Sequence, residues 1–367
     1  MVILHMMMYL DTSISIHVSH LLAEISSDSP FPFAVFFFFI LLSDSAMASD
    51  EIAINATPYF IFYKDGRIDR LIGNDIDPPG LDPKTGVESK DVDISPDVTV
   101  RVYRPKSAAG KQAQKLPLLV YFHGGGFCIE TAFSPFYHQH INAWVAEGNI
   151  AAVSVNYRRA PEYKLPIPFE DSWTAMKWIA AHSGGKGPDD WLNEIADLNQ
   201  VYLAGDSAGG NIAHRMALRV GTEGLDGVKI KGLQLIHPHF WGEKLIGEEQ
   251  EWDRKDLFVV ENLWFMVSKD IKNLDHPIVN PEHDPDLGRL AAERVAVYVA
   301  EKDNLKVRGR HYAECLKKSG WNGTVEVVET TGEGHVFHLF NPTCDMAGEL
   351  VKQLAAFTSS GRSGEVQ

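Results

Sequence analysis

From about Val98 onward the chain repeats one alternation, and that alternation constrains its fold more than any other feature. Short apolar runs at 98–103, 118–122, 150–155, 201–204, 230–236, 295–300 and 325–328 carry the Val, Ile and Tyr character of strands. Among them lie stretches at 171–182, 211–220, 307–318 and 346–357 with apolar residues at helical spacing. Most of the runs are nearly continuous in apolar residues, as expected of strands covered on both faces, and crossover helices are what connect parallel neighbours. The expectation is an α/β protein built on an open, mostly parallel, doubly wound sheet.

Two stretches break the alternation: the N-terminal part, about 47–97, and an insertion at 238–290 rich in Trp, Pro and charge. Long insertions in such sheets sit above the carboxyl ends of the strands, where ligands bind, so both are expected to form a cap. Residues 1–46 differ from all that follows. No Lys or Arg precedes Lys64, and the apolar run at 33–42 is too short to span a membrane and has no basic region ahead of it. These residues read as a disordered leader or gene-model extension with Met47 as the start. Secretion through them is the alternative, since Ala46-Met47-Ala48 resembles a cleavage site.

The 367 residues are 45% hydrophobic and 23% charged, enough for one large domain, 47–367. The net charge of −15 is spread along the chain, which argues against a nucleic-acid partner. Cys128, Cys315 and Cys344 are odd in number and scattered, which fits a reducing compartment, cytoplasmic or nuclear, and neither a disulfide framework nor a zinc site. Oligomeric state is not legible, and nothing in the sequence calls for a membrane.

Gly205-Asp206-Ser207-Ala208-Gly209 follows the run 201–204 and leads into a helix. A serine displayed on a sharp strand-to-helix turn needs small neighbours for clearance, which Gly205 and Gly209 supply. His123-Gly124-Gly125-Gly126-Phe127 closes another strand, and consecutive glycines there let backbone N–H groups converge on one point. Together these point to acyl transfer. Ser207 is the candidate nucleophile, and the N–H groups of Gly125, Gly126 and Ala208 form the candidate oxyanion hole. A serine needs a base, and the base needs a carboxylate to orient it. His335, in the loop after 325–328, and Asp303, just after 295–300, follow Ser207 in the required order, with His338 and Glu301 as the competing pair.

Other clusters read as structural. His138-Gln139-His140 and His237-Pro238-His239 have no carboxylate or cysteine at convincing ligand spacing, so neither metal nor cofactor is implied. Arg158-Arg159-Ala160-Pro161-Glu162 reads as an ion pair that pins a loop. Asp206 is expected to point away from the nucleophile and hydrogen-bond around the turn.

The combination of His123-Gly124-Gly125-Gly126-Phe127, Tyr157-Arg158-Arg159-Ala160-Pro161-Glu162, Gly205-Asp206-Ser207-Ala208-Gly209-Gly210-Asn211 and Gly334-His335-Val336-Phe337 resembles the hormone-sensitive-lipase-like group of α/β-hydrolases. Tyr63-Lys64-Asp65-Gly66-Arg67, Thr85-Gly86-Val87 and Ser89-Lys90-Asp91-Val92 narrow the resemblance to the plant carboxylesterases of that group, relatives of the gibberellin receptor. It covers the chain from about Met47. It implies an α/β-hydrolase fold, a Ser207–His335–Asp303 triad, no cofactor, and a small-molecule ester as substrate; short acyl chains are expected because an aromatic-rich cap over a closed pocket suits compact ligands. It leaves two alternatives: a hormone receptor, which in this family lacks the histidine, and a dehydratase or transacylase that uses the same triad.

Overall fold

The computed structural model describes residues 50–108 and 115–360; the expected leader at 1–46 and Met47 lie outside them. The chain divides after Asp50, and all that follows concerns the unit from Glu51.

Eight strands form the central sheet: β4 (Glu88–Ser95), β5 (Val98–Arg104), β6 (Leu116–Phe122), β7 (Ala151–Asn156), β8 (Ala196–Asp206), β9 (Ile230–Ile236), β10 (Arg294–Ala300) and β11 (Thr324–Thr330). Their spatial order is β11-β10-β9-β8-β6-β7-β5-β4. Pairing is parallel from β11 through β7 and antiparallel where β5 joins β7 and β4 joins β5.

The central strands are apolar throughout because both faces are covered. Along β6, Leu118, Val120 and Phe122 enter one core cluster, while Leu119 and Tyr121 enter the other. The first cluster is packed by α2 (Ile167–Ala180), α4 (Ala208–Glu223) and α6 (Lys306–Lys318); the second by α1 (Pro135–Gly148) and α8 (Asp345–Ser359). This is the doubly wound arrangement expected.

The helix α1 was not anticipated, although Tyr137, Ile141, Trp144 and Val145 form an apolar stripe and Pro135 sits at its first turn. Two histidines, a glutamine and an asparagine between those positions dilute the pattern. The strand β4 is a correction to the expected cap segment 47–97. Glu88 through Ser95 pair with Arg104 back to Val98 and form the sheet edge. An edge strand with one open side tolerates Lys90, Asp91 and Asp93, and that polarity masked it.

What remains of the N-terminal segment folds as a small antiparallel sheet of β1 (Ile52–Ala56), β2 (Phe60–Tyr63) and β3 (Ile68–Arg70). Phe60 and Phe62 are buried beneath it. Arg70 ties it to the body, donating to the carbonyls of Cys128 and Ala160 and pairing with Glu162. The insertion 238–290 contains α5 (Arg254–Val267), which packs against β1. The insertion is held to α6 by a fully buried pair, Arg308 Nε to Glu249 Oε1 at 2.6 Å. A short α3 (Asp190–Ile195) and the single turn α7 (Phe337–Phe340) complete the helices among the described residues.

Candidate active site

The carboxyl ends of β6, β8, β10 and β11 present their loops on one rim. At the end of β8 the chain turns so sharply that Ser207 adopts φ 51°, ψ −119°, a conformation L-residues rarely hold. Its neighbours permit that turn. A Cβ at Gly205 would come within 2.3 Å of the Gly209 carbonyl oxygen, and one at Gly209 within 2.0 Å of the Phe122 carbonyl oxygen. The requirement for small flanking residues is therefore a direct steric one.

His335 Nε2 lies 3.0 Å from Ser207 Oγ, and its Nδ1 lies 2.8 Å from Asp303 Oδ2. The other carboxylate oxygen of Asp303 accepts from the Leu305 N–H at 2.8 Å, so both oxygens are occupied and the carboxylate is fixed. Desolvation pulls the His335 pKa down, but the charge and hydrogen bond of Asp303 outweigh it and leave the pKa raised. For Asp303, burial pushes up and His335 pulls down, and the net is lowered. A carboxylate that stays ionised beside an imidazole with raised basicity suits proton abstraction from a serine.

The competing residues are engaged elsewhere. Glu301 Oε2 accepts from the Gly332 N–H at 2.7 Å on the surface, and His338 is buried against His140 and His237.

Gly125 and Gly126 have φ of 88° and 59°, which turns the loop after β6 back toward the elbow. Among the described residues, the N–H groups of Gly125, Gly126 and Ala208 have no protein acceptor, so they are available to an incoming oxygen. Asp206 lines the same pocket as Ser207, and its hydrogen bonds run to residues distant in the chain rather than around the turn. Its carboxylate accepts from Tyr121 Oη at 2.8 Å and Tyr137 Oη at 2.9 Å, and burial, opposed by these two bonds, raises its pKa to about 6. Tyr137 Oη in turn accepts from the Gly124 N–H at 2.9 Å, so one phenol joins the glycine loop to the elbow.

The Arg-Arg-Ala-Pro-Glu loop does carry ion pairs, with partners far along the chain. Arg158 forks onto Asp171, and Glu162 meets Arg70. His237 is where sequence spacing misleads. The fold brings a nitrogen of His237 within 4.8 Å of the donor atoms of Asp303 and His335. His237 Nδ1 accepts from the Val336 N–H at 2.9 Å, which props the left-handed backbone at Val336 beside His335. No signal in the sequence links residues 99 positions apart.

Ser207, His335, Gly125 and Gly126 open on one pocket of about 150 Å³, walled by Tyr59 and Phe60 from the N-terminal sheet, Phe136 and Tyr137 from α1, and Leu339 and Phe340 from α7. The lining is aromatic and apolar, with a small number of polar groups, as small-molecule sites are.

Comparison with known proteins places this geometry. Residues 119–339 match the model of a family described by the alpha/beta hydrolase fold. The chain is 48% identical over 309 residues to probable carboxylesterase 7 of Arabidopsis thaliana, covering 83% of this chain and 98% of that one. It is 39% identical over 327 residues to 2-hydroxyisoflavanone dehydratase of Glycyrrhiza echinata, covering 86% and 98%. Among solved structures it resembles a hyperthermophilic esterase from the archaeon Pyrobaculum calidifontis, with a TM-score of 0.60 and 29% identity over 75% of this chain and 86% of that one.

Proposed function

Because the chain belongs to the α/β-hydrolase family, alongside the plant carboxylesterases it matches over most of its length, we propose that it is a serine carboxylesterase acting on small esters. The observation that carries this reading is the unbroken line Asp303–His335–Ser207 at 2.8 and 3.0 Å, ending in a pocket beside three unpaired backbone donors.

In the proposed reaction Ser207 Oγ bonds to the ester carbonyl carbon while its proton passes to His335 Nε2. The carbonyl oxygen, now an anion, rests on the N–H groups of Gly125, Gly126 and Ala208. Collapse of this intermediate breaks the bond to the alcohol, which leaves with the proton from His335. Water then attacks the acyl-enzyme, giving its proton to the same imidazole, and the acid departs as Ser207 recovers its hydrogen. Asp303 holds the imidazole with Nδ1 protonated and stabilises its charged form. The N-terminal sheet and the insertion act as the cap over this site, and the three free cysteines suit a reducing compartment.

Hydrolysis of p-nitrophenyl acetate and butyrate, with wild type beside Ser207→Ala, tests the reading. Turnover that falls about 10⁵- to 10⁶-fold in the variant is expected. Wild-type turnover no faster than the variant would overturn it and favour the dehydratase-like or hormone-binding alternatives.

A further inference from the structure

Buried charge in this fold is almost always paired. Arg101 meets Asp91, Asp171 meets Arg158, and Arg308 meets Glu249. In the pocket itself Asp206 is held by two tyrosines, and His335 by Asp303 and Ser207.

Glu130 is the exception. It lies four residues beyond Gly126, lines the same pocket as Ser207, and is 5% exposed, yet its Oε2 has no hydrogen-bond partner. Among the described residues no Lys, Arg or His forms an ion pair with it. Arg159, whose charge acts on it from outside hydrogen-bond reach, donates from its Nη1 to the Glu130 backbone carbonyl at 2.8 Å.

The backbone is committed to this placement: Glu130 sits at φ 65°, a left-handed conformation unfavourable for a side chain of this type. From above, Gly73 presses so closely that a Cβ there would lie 2.5 Å from the Glu130 nitrogen. The loop thus accepts backbone strain and a carboxylate oxygen with no partner beside a pocket where a ligand could supply one.

We propose that Glu130 is a specificity-determining residue that hydrogen-bonds a hydroxyl group of the substrate, so that the preferred esters are compact hydroxylated ones. The proposal rests on the esterase reading above. Burial, with the Ser134 hydroxyl opposing it, raises the Glu130 pKa, so the carboxyl draws nearer to its neutral form. A hydroxyl suits either form, accepting from the acid or donating to the carboxylate. Anionic substrates are disfavoured, because two carboxyl side chains, Glu130 and Asp206, line the pocket and no Lys or Arg is among its lining residues. The aromatic walls take the carbon skeleton, and the 150 Å³ volume keeps it small.

The test compares kcat/KM within two matched series: p-nitrophenyl butyrate against its 2-hydroxy and 3-hydroxy analogues, and ethyl butyrate against 2-hydroxyethyl butyrate. Wild type, Glu130→Gln and Glu130→Leu are measured on all five. The expected result is a preference of at least tenfold for a hydroxylated ester in one series in wild type. Glu130→Leu abolishes that preference, and Glu130→Gln, which still hydrogen-bonds, retains most of it. A wild type that turns over all five esters without preference overturns the proposal whether or not the variants fold, as does a preference undiminished in folded Glu130→Leu. A wild type that hydrolyses none of them is a different result, because it removes the esterase reading as well.

Discussion

At the scale of single residues, the site depends on an imidazole whose basicity is set by one carboxylate. The proposed reaction requires His335 neutral, so kcat/KM should rise with pH as the ring loses its proton. Because Asp303 holds that pKa above the ordinary histidine value, the midpoint of this limb is expected above about 6.5. Asp303→Asn removes the charge, so the limb should move to lower pH while kcat falls about 10⁴-fold, the loss measured for the same change in another triad. A pH profile of both proteins reads the two effects separately, and a limb that stays in place would show that Asp303 does not set it. Ser207, Asp303 and His335 were legible because each stands at a strand end in a fixed order along the chain. His237 and Glu130 were not, because a histidine propping Val336 and a buried carboxylate oxygen without a partner are properties of packing.

Elements carry a second layer of the design. The helix α1 was missed in the sequence, yet it delivers Tyr137 to the junction of the glycine loop and the elbow. Tyr137→Phe would leave the Gly124 N–H unpaired and Asp206 short of one donor, in a place closed to water. The expected cost is about 2–6 kcal/mol of stability, since each of the two stranded buried groups costs about 1–3. Urea unfolding of the variant measures it, and a change below 0.5 kcal/mol would mean that solvent replaces the phenol. The strand β4 teaches the complementary lesson. Periodicity found the strands buried on both faces, but an edge strand with Lys90 and Asp91 reads as a loop until its partner β5 is seen beside it. The parallel order was readable from alternation alone because helices must cover both faces.

For the whole molecule, acid should be the main stress. Burial holds His123, His214 and His239 down to about 3 and His140 and His237 to about 4, with His338 also well below its ordinary value. Below pH 6.5 the unfolded chain protonates these rings before the folded one can, so stability is full above 6.5 and is lost as pH falls toward 3 to 4. Each ring contributes at most about 1.4 kcal/mol per pH unit. Asp303, with its lowered pKa, adds to the loss at the acid end. Asp206, raised to about 6, and His335 and Glu130, also raised, act in the opposite sense, but three groups do not offset six. Tm should therefore drop steeply between pH 6.5 and 5. His214→Phe, whose ring packs against Phe240 and Tyr312, should flatten that slope. A slope equal to that of wild type would show that His214 takes up its proton in the folded state as well.

The site also has a consequence in time. Its roof comes from Tyr59 and Phe60, its nucleophile from Ser207, and its base from a residue 128 positions later. A ribosome building this chain makes the roof first, the serine midway and the histidine near the end. On the proposed mechanism a nascent chain lacking His335 has no base for Ser207, so ester hydrolysis can begin only once the loop after β11 has been synthesised and seated beside Ser207.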